Sequence, residues 1–147
     1  MSEKDYDPRM HTAEHILNQT MVRKFGCRRS ANSHIEKKKS KCDYIIATEP
    51  SAQTILDIEN EVNSVISSNI PITDEMVTQE QAKEFLDLSK LPSNAPATIR
   101  VVRVGDFDAC ACIGPHVQNT SEIGFFKIIS HSWSDERLRI RFKLFDS

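Results

Sequence analysis

Two histidines one helical turn apart, His11 and His15, stand about a hundred residues upstream of Cys112 and His116. If these four share one ion, only folds that bring the amino-terminal helix against the carboxy-terminal third are open to the chain. In His11-Thr-Ala-Glu-His15 the i, i+4 spacing puts both imidazoles on one helix face. Cys112-Ile-Gly-Pro-His116 contains Gly-Pro and reads as a turn, close enough in sequence for its thiol and imidazole to share a ligand. Two nitrogens from a helix with a sulfur and a nitrogen from a loop form a zinc-type donor set. Either half alone is common as a surface or core accident. Their joint presence carries the argument.

The 147 residues suit a single domain spanning residues 1–147 with one core. Hydrophobic residues at 39% and charged residues at 27% are a soluble globular mix. The polar, acidic start predicts neither a signal nor a transit peptide, and no apolar run approaches the ~18 residues of a membrane span. The expected location is therefore cytoplasmic, with no membrane partner. There Cys27, Cys42, Cys110 and Cys112 read as thiols or ligands rather than a disulfide framework. A net charge of −2 hides a sharp asymmetry: residues 21–43 carry +6 and residues 49–88 carry −8. The basic block makes Arg28, Arg29, Lys37, Lys38, Lys39 and Lys41 candidate RNA-binding residues that seat a phosphate backbone. A solvated hairpin and helix end accounts for the same charges equally well.

Asp7-Pro8 is a helix start, with Asp as cap and Pro in the first turn, and the helix is expected over residues 8–25, stopping at Gly26. Its apolar stripe is Ala13, Ile16, Leu17 and Met21. A hairpin is expected over 33–37 and 41–48, with Lys38-Lys39-Ser40 at its tip. A second helix, opening at Pro50-Ser51 and reaching about residue 69, carries Ile55, Ile58, Val62, Val65 and Ile66 inward and Asp57, Glu59 and Glu61 on or beside the wet face. A strand over 72–78, a short helix over 79–86 and a loop over 91–96 follow. Strands are expected over 98–104, 109–112, 124–130 and 137–145. The last alternates Leu138, Ile140, Phe142 and Leu144 with Arg137, Arg139, Arg141 and Lys143, one core face and one basic face. The sum is an α+β fold with helices packed on a mainly antiparallel sheet.

The chain resembles the editing domain of alanyl- and threonyl-tRNA synthetases, in particular free-standing alanyl-tRNA editing proteins of the AlaX type. His11-Thr-Ala-Glu-His15 is similar to that family's H-x-x-x-H helix. Residues 112–128, from Cys112-Ile-Gly-Pro-His116 through Thr120-Ser-Glu-Ile-Gly124, resemble its C-x-x-x-H segment and the run that follows. The Thr98-Ile-Arg-Val-Val-Arg-Val-Gly-Asp-Phe-Asp108 stretch and Arg139-Ile-Arg-Phe142 share the likeness, which spans about residues 7–145. The resemblance implies Zn²⁺ held by His11, His15, Cys112 and His116, and hydrolysis of the ester joining a wrong amino acid to the 3′ end of its tRNA. Nothing resembles an ATP-binding or aminoacylating domain, so the implied action is in trans on mischarged tRNA. No oligomeric state is specified.

Three further residues become candidate catalytic groups. Thr12 resembles a threonine of the alanyl type, implying a hydrogen bond to the hydroxyl of a mischarged serine. Cys110 stands where threonyl-type relatives carry an acid and alanyl-type ones often an amide; if the stretch is extended it shares a strand face with Cys112, as a substitute ligand, a pocket wall or a small buried residue. His34, in Ser33-His34, matches a similar pair in relatives and is a pocket or structural histidine. Glu14 is expected to face solvent. Asp106 and Asp108 are expected as turn residues with a secondary claim on the site, Trp133 as partly packed or stacked on a base, and His131 as no ligand. Ser-tRNA(Ala) is the expected substrate, with Gly-tRNA(Ala) beside it. Gly114-Pro115-His116 resembles the threonyl type and keeps Ser-tRNA(Thr) as the alternative, and a non-catalytic zinc-stabilised RNA-binding module is a third reading.

Overall fold

Asp7 caps the first helix as its sequence requires: the carboxylate accepts from the Arg9 and Met10 amides at 2.8 and 3.4 Å. The structure, a computed structural model, describes residues 7–30, 32–83, 97–112 and 114–146. Helix α1 spans Pro8–Phe25 and ends at Gly26, whose φ of 67° is the left-handed cap that lets its amide bond to the Val22 carbonyl. Met10, Ala13, Ile16, Leu17 and Met21 are buried on one face. Helix α2, Ala52–Ser67, is capped by Ser51 and buries Ile55, Ile58, Val62 and Ile66. A short helix α3, Gln79–Lys83, lies over the second sheet.

The strands form two antiparallel sheets rather than one. Strands β1 (Asn32–His34), β2 (Ser40–Ile45), β6 (Phe125–Ser134) and β7 (Arg137–Phe145) form a four-stranded sheet in the order β1-β2-β7-β6. Strands β3 (Ile72–Thr78), β4 (Thr98–Val104) and β5 (Asp108–Ala111) form a three-stranded sheet with β4 central. The division reflects pairing across the chain: β2 pairs with β7, joining segments nearly a hundred residues apart, which alternation within one strand does not encode. The hairpin arms are shorter than expected. The expected helix over 79–86 is described to Lys83, and the loop expectation over 91–96 lies outside the described residues.

The larger core lies between α1, α2 and the inner face of the four-stranded sheet, where Cys42, Tyr44, Phe126, Ile128, Leu138, Ile140 and Phe142 meet the helix stripes. Glu59 does not face water as expected; it is 7% exposed. Its Oε1 accepts the Ile128 amide at 2.7 Å, and one turn along Asn63 pairs with Phe126 through both its amide nitrogen and oxygen at 2.8 Å each. Two side chains of α2 thus satisfy the open edge of β6. Among the described residues no helix is long and apolar enough to cross a membrane.

Candidate metal centre

Helix α1 and the loop after β5 supply four side chains to one point. The ligand atoms of His11, His15, Cys112 and His116 all lie within 4.8 Å of one another. Cys112 Sγ is 3.4 Å from Nε2 of both His11 and His116. Ligands on a common tetrahedral zinc, with Zn–S ≈ 2.3 Å and Zn–N ≈ 2.0–2.1 Å, are separated by roughly 3.5 Å. Spacing and donor chemistry both fit such an ion. Cys110, Asp108 and Glu14 are not part of the group.

Two of the three imidazoles are oriented from behind by hydrogen bonds. His11 Nδ1 donates to the Pro115 carbonyl at 3.1 Å, which leaves Nε2 bare toward Cys112. Thr12 Oγ1 gives its hydrogen to the Pro8 carbonyl at 2.9 Å and accepts from His116 Nδ1 at 2.9 Å and the Val117 amide at 3.3 Å. His116 is thereby also fixed with Nε2 bare. The Thr12 side chain is fully buried and its hydrogen-bonding capacity is spent, so in this arrangement it has nothing left for a substrate hydroxyl. His15 Nδ1 is buried with no partner at hydrogen-bond distance; Asp108 Oδ2 lies 3.7 Å from it.

Asp108 is no exposed turn residue. Its side chain is 0% exposed and is gripped by Arg29 through bonds of 2.8 and 3.2 Å. Helix α1 holds the preceding loop as well: Gln19 and Arg23 donate to the Phe107 carbonyl at 2.9 and 2.7 Å, and the Arg23 guanidinium lies over the Phe107 ring. Arg29, with its side chain 30% exposed, spends two of its donors on this buried carboxylate. Arg28 and Lys37, Lys38 and Lys39 are exposed at the surface, and Lys41 is half-buried on β2.

These charges set the ionisation of the cluster. Burial opposes a Cys112 thiolate, but the His11, His116 and His15 rings facing it outweigh that and bring its pKa down to about 3. Burial also opposes an imidazolium at His15, yet Asp108 and Cys112 raise it to about 9. His116 is held below the usual histidine value by burial and its histidine neighbours. Cys110 is pushed up to about 11, chiefly by burial. It is therefore a neutral thiol at neutral pH, and its Sγ turns to the Ala111 carbonyl at 3.4 Å. β5 is described to Ala111, and the Cys112 amide still bonds to the Arg100 carbonyl of β4 at 3.1 Å.

Three contributors were not legible as such. Glu14, expected in solvent, is only 14% exposed, and its Oε1 lies 3.8 Å from His11 Nε2. Its position directly before His15 was the available signal. Gly114 makes room for His11: a Cβ there would run into the ring Cε1 and sit 2.6 Å from Nδ1. Arg100, on β4, donates to the carbonyls of Cys112 and Gly114 at 3.1 and 2.8 Å while pairing with Asp74 at 2.8 Å, so it fixes the ligand loop. A cleft of about 120 Å³ opens on the other side of His116, lined also by Thr73, Asp74, Arg100 and Gln118. His34 is exposed on β1 beside Glu36, outside the four-residue group. His131 is exposed, and Trp133 is half-buried with its Nε1–H on the Ile46 carbonyl at 3.0 Å.

Residues 99–141 match the family model of the "Threonyl and Alanyl tRNA synthetase second additional domain". The chain is 36% identical over 125 residues to an alanine–tRNA ligase of Fervidobacterium nodosum, an alignment covering 84% of this chain and 14% of that ligase. It is 35% identical over 126 residues to the ligase of Leptospira biflexa, covering 81% and 13%, and 32% identical over 123 residues to that of Bacillus subtilis, covering 83% and 14%. The chain thus spans about a seventh of the length of these relatives. Helices on antiparallel sheets, the convergent His/Cys group and these alignments together place the chain in the family of the threonyl- and alanyl-tRNA synthetase second additional domain.

Proposed function

We propose that this chain is an aminoacyl-tRNA hydrolase that removes a wrong amino acid from the 3′ end of tRNA, with Ser-tRNA(Ala) as substrate, Gly-tRNA(Ala) beside it, and zinc as cofactor. The observation that carries the reading is the convergence of three imidazoles and a thiolate in a chain whose relatives are alanine–tRNA ligases. His11, His15, Cys112 and His116 would hold the ion. Bound there, zinc would supply a fixed positive charge that favours a developing oxyanion.

His11, His15, Cys112 and His116 would fill the four places of such an ion, so the proton transfers fall to the chain's own groups. Glu14, shielded and 3.8 Å from His11 Nε2, is placed to take a proton from the water that attacks the ester. Thr12 serves as a positioning residue that holds His116 rather than as a contact for the seryl hydroxyl. The neighbouring cleft of about 120 Å³, with His116 in its wall, has room for a small group such as a seryl or glycyl moiety. Its polar wall of Thr73, Asp74 and Gln118 offers partners to a hydroxyl.

The test is loss of the seryl ester from Ser-tRNA(Ala) on incubation with the purified chain alone, with and without chelator. Hydrolysis that needs metal, and that slows by about 10² or more in Glu14→Gln at unchanged zinc content, supports the reading. An intact ester while zinc is bound overturns it. Ser-tRNA(Thr) run in parallel decides the alternative substrate. A second reading, a zinc-stabilised RNA-binding module without catalysis, draws support from the complete four-ligand set; it predicts RNA binding and a folded, inert protein.

A further inference from the structure

The outer face of the four-stranded sheet carries charge that the metal centre does not use. Helices α1 and α2 pack on the inner face. On β7 the outward residues are Arg137, Arg139, Arg141, Lys143 and Phe145. Register places Lys41 of β2 directly opposite Arg141, and Lys127 of β6 directly opposite Lys143. Like charges facing each other across a ladder destabilise a sheet. Lys127 has a partial counter-charge in Glu59 at 3.8 Å, and Asp43 lies buried beneath Arg137 and Arg139. Among the described residues Lys41, Arg141 and Lys143 have no carboxylate partner.

Two more features share this face. Ser130, Ser132 and Ser134 stand opposite Arg141, Arg139 and Arg137, so a row of exposed hydroxyls runs beside the basic ladder. At its far end Phe125 and Phe145 face each other across β6 and β7, 45% and 48% exposed. Two open aromatic rings at the end of a basic, hydroxyl-rich sheet match a surface that takes phosphates along its length and unpaired bases on its rings. The aromatic end also leads to the metal centre: Asp146, next after Phe145, pairs at 3.3 Å with Arg9, two residues before His11.

We infer that this sheet face is an RNA-docking surface. An RNA strand lays its phosphates on Lys41, Arg141 and Lys143 and stacks unpaired bases on Phe125 and Phe145, so that its end is delivered toward helix α1. The inference rests on the proposed function for the choice of RNA over other polyanions. It moves the main contact from the hairpin tip at Lys37, Lys38 and Lys39 to the sheet itself.

The experiment measures binding of uncharged tRNA(Ala) transcript by fluorescence anisotropy across a KCl series, for the full chain and for the triple variant Lys41→Gln, Arg141→Gln, Lys143→Gln. These three side chains are partly exposed and stand apart from the His/Cys group. The expected result is an affinity at least about tenfold weaker and a slope of log K against log[KCl] shallower by about 2 to 3. Phe125→Ser should weaken binding and leave the slope unchanged. An unchanged slope and affinity in the triple variant overturns the inference, as does equal dependence on these residues for phosphatidylserine vesicles with no binding of tRNA. Hydrolysis is scored separately. tRNA bound through these residues with no ester cleaved leaves the docking surface standing and removes the editing reading. Ester cleaved by the triple variant with unaltered KM does the reverse.

Discussion

At the scale of single residues, the cluster depends on groups outside the four candidate ligands. Gly114 has no left-handed backbone angle to accommodate; its only demand is the space that the His11 ring fills. Gly114→Ala should therefore leave the circular dichroism of the protein intact and weaken zinc binding by about tenfold or more, since misplacing a ligand's support costs that much. Equal zinc affinity in a competition titration would show that the loop yields. The paired ionisation of His15 and Cys112 makes a second prediction. With His15 at about 9 and Cys112 at about 3, the metal-free cluster at pH 7 presents an imidazolium and a thiolate. Zinc must displace the His15 proton, so uptake at pH 7 releases about one proton, and affinity rises about tenfold per pH unit until pH ~9 and then levels. Calorimetry in buffers of different ionisation enthalpy counts that proton. Release of two would mean that Cys112 enters as a thiol.

Among the elements, α1 and α2 do different work. The first presents ligands from its early turns and anchors the Phe107–Asp108 loop through Gln19 and Arg23. The second closes a sheet edge. Asn63 binds both backbone groups of Phe126, as a neighbouring strand would. Asn63→Ala strips partners from a partly buried amide and carbonyl, which costs about 1–3 kcal/mol. A lower urea midpoint with an unchanged slope would register that loss. The same change bares the edge of β6, so aggregation on heating should increase. A midpoint equal to wild type would mean that water replaces the side chain without penalty.

For the whole molecule, an ion at the His/Cys group would clamp α1 to a loop about a hundred residues later in the chain. Anything that binds the folded state alone stabilises it by mass action, about 2.7 kcal/mol at a free concentration of 100 Kd. In a chain of this size each kcal/mol moves Tm by about 2–4 °C, so saturating zinc should raise Tm by about 5–10 °C and chelation should reverse it. Cys112→Ser should blunt the response. The same rise in that variant would place the zinc elsewhere.

Short-range patterns settled a good deal from the sequence alone. Asp7-Pro8 and Gly26 bounded α1, i, i+4 spacing aligned His11 with His15, and strict alternation over 137–145 separated the core face of β7 from its basic face. All of these rest on backbone geometry that repeats within a few residues. Tertiary structure decided the rest. It split the strands into two sheets, buried Asp108 under Arg29, turned Glu14 toward His11, and set Lys41 against Arg141. Those outcomes depend on which distant strands pair and which side chains then find themselves out of water. Local spacing carries no record of that choice, because it is made by the packing of the whole chain at once.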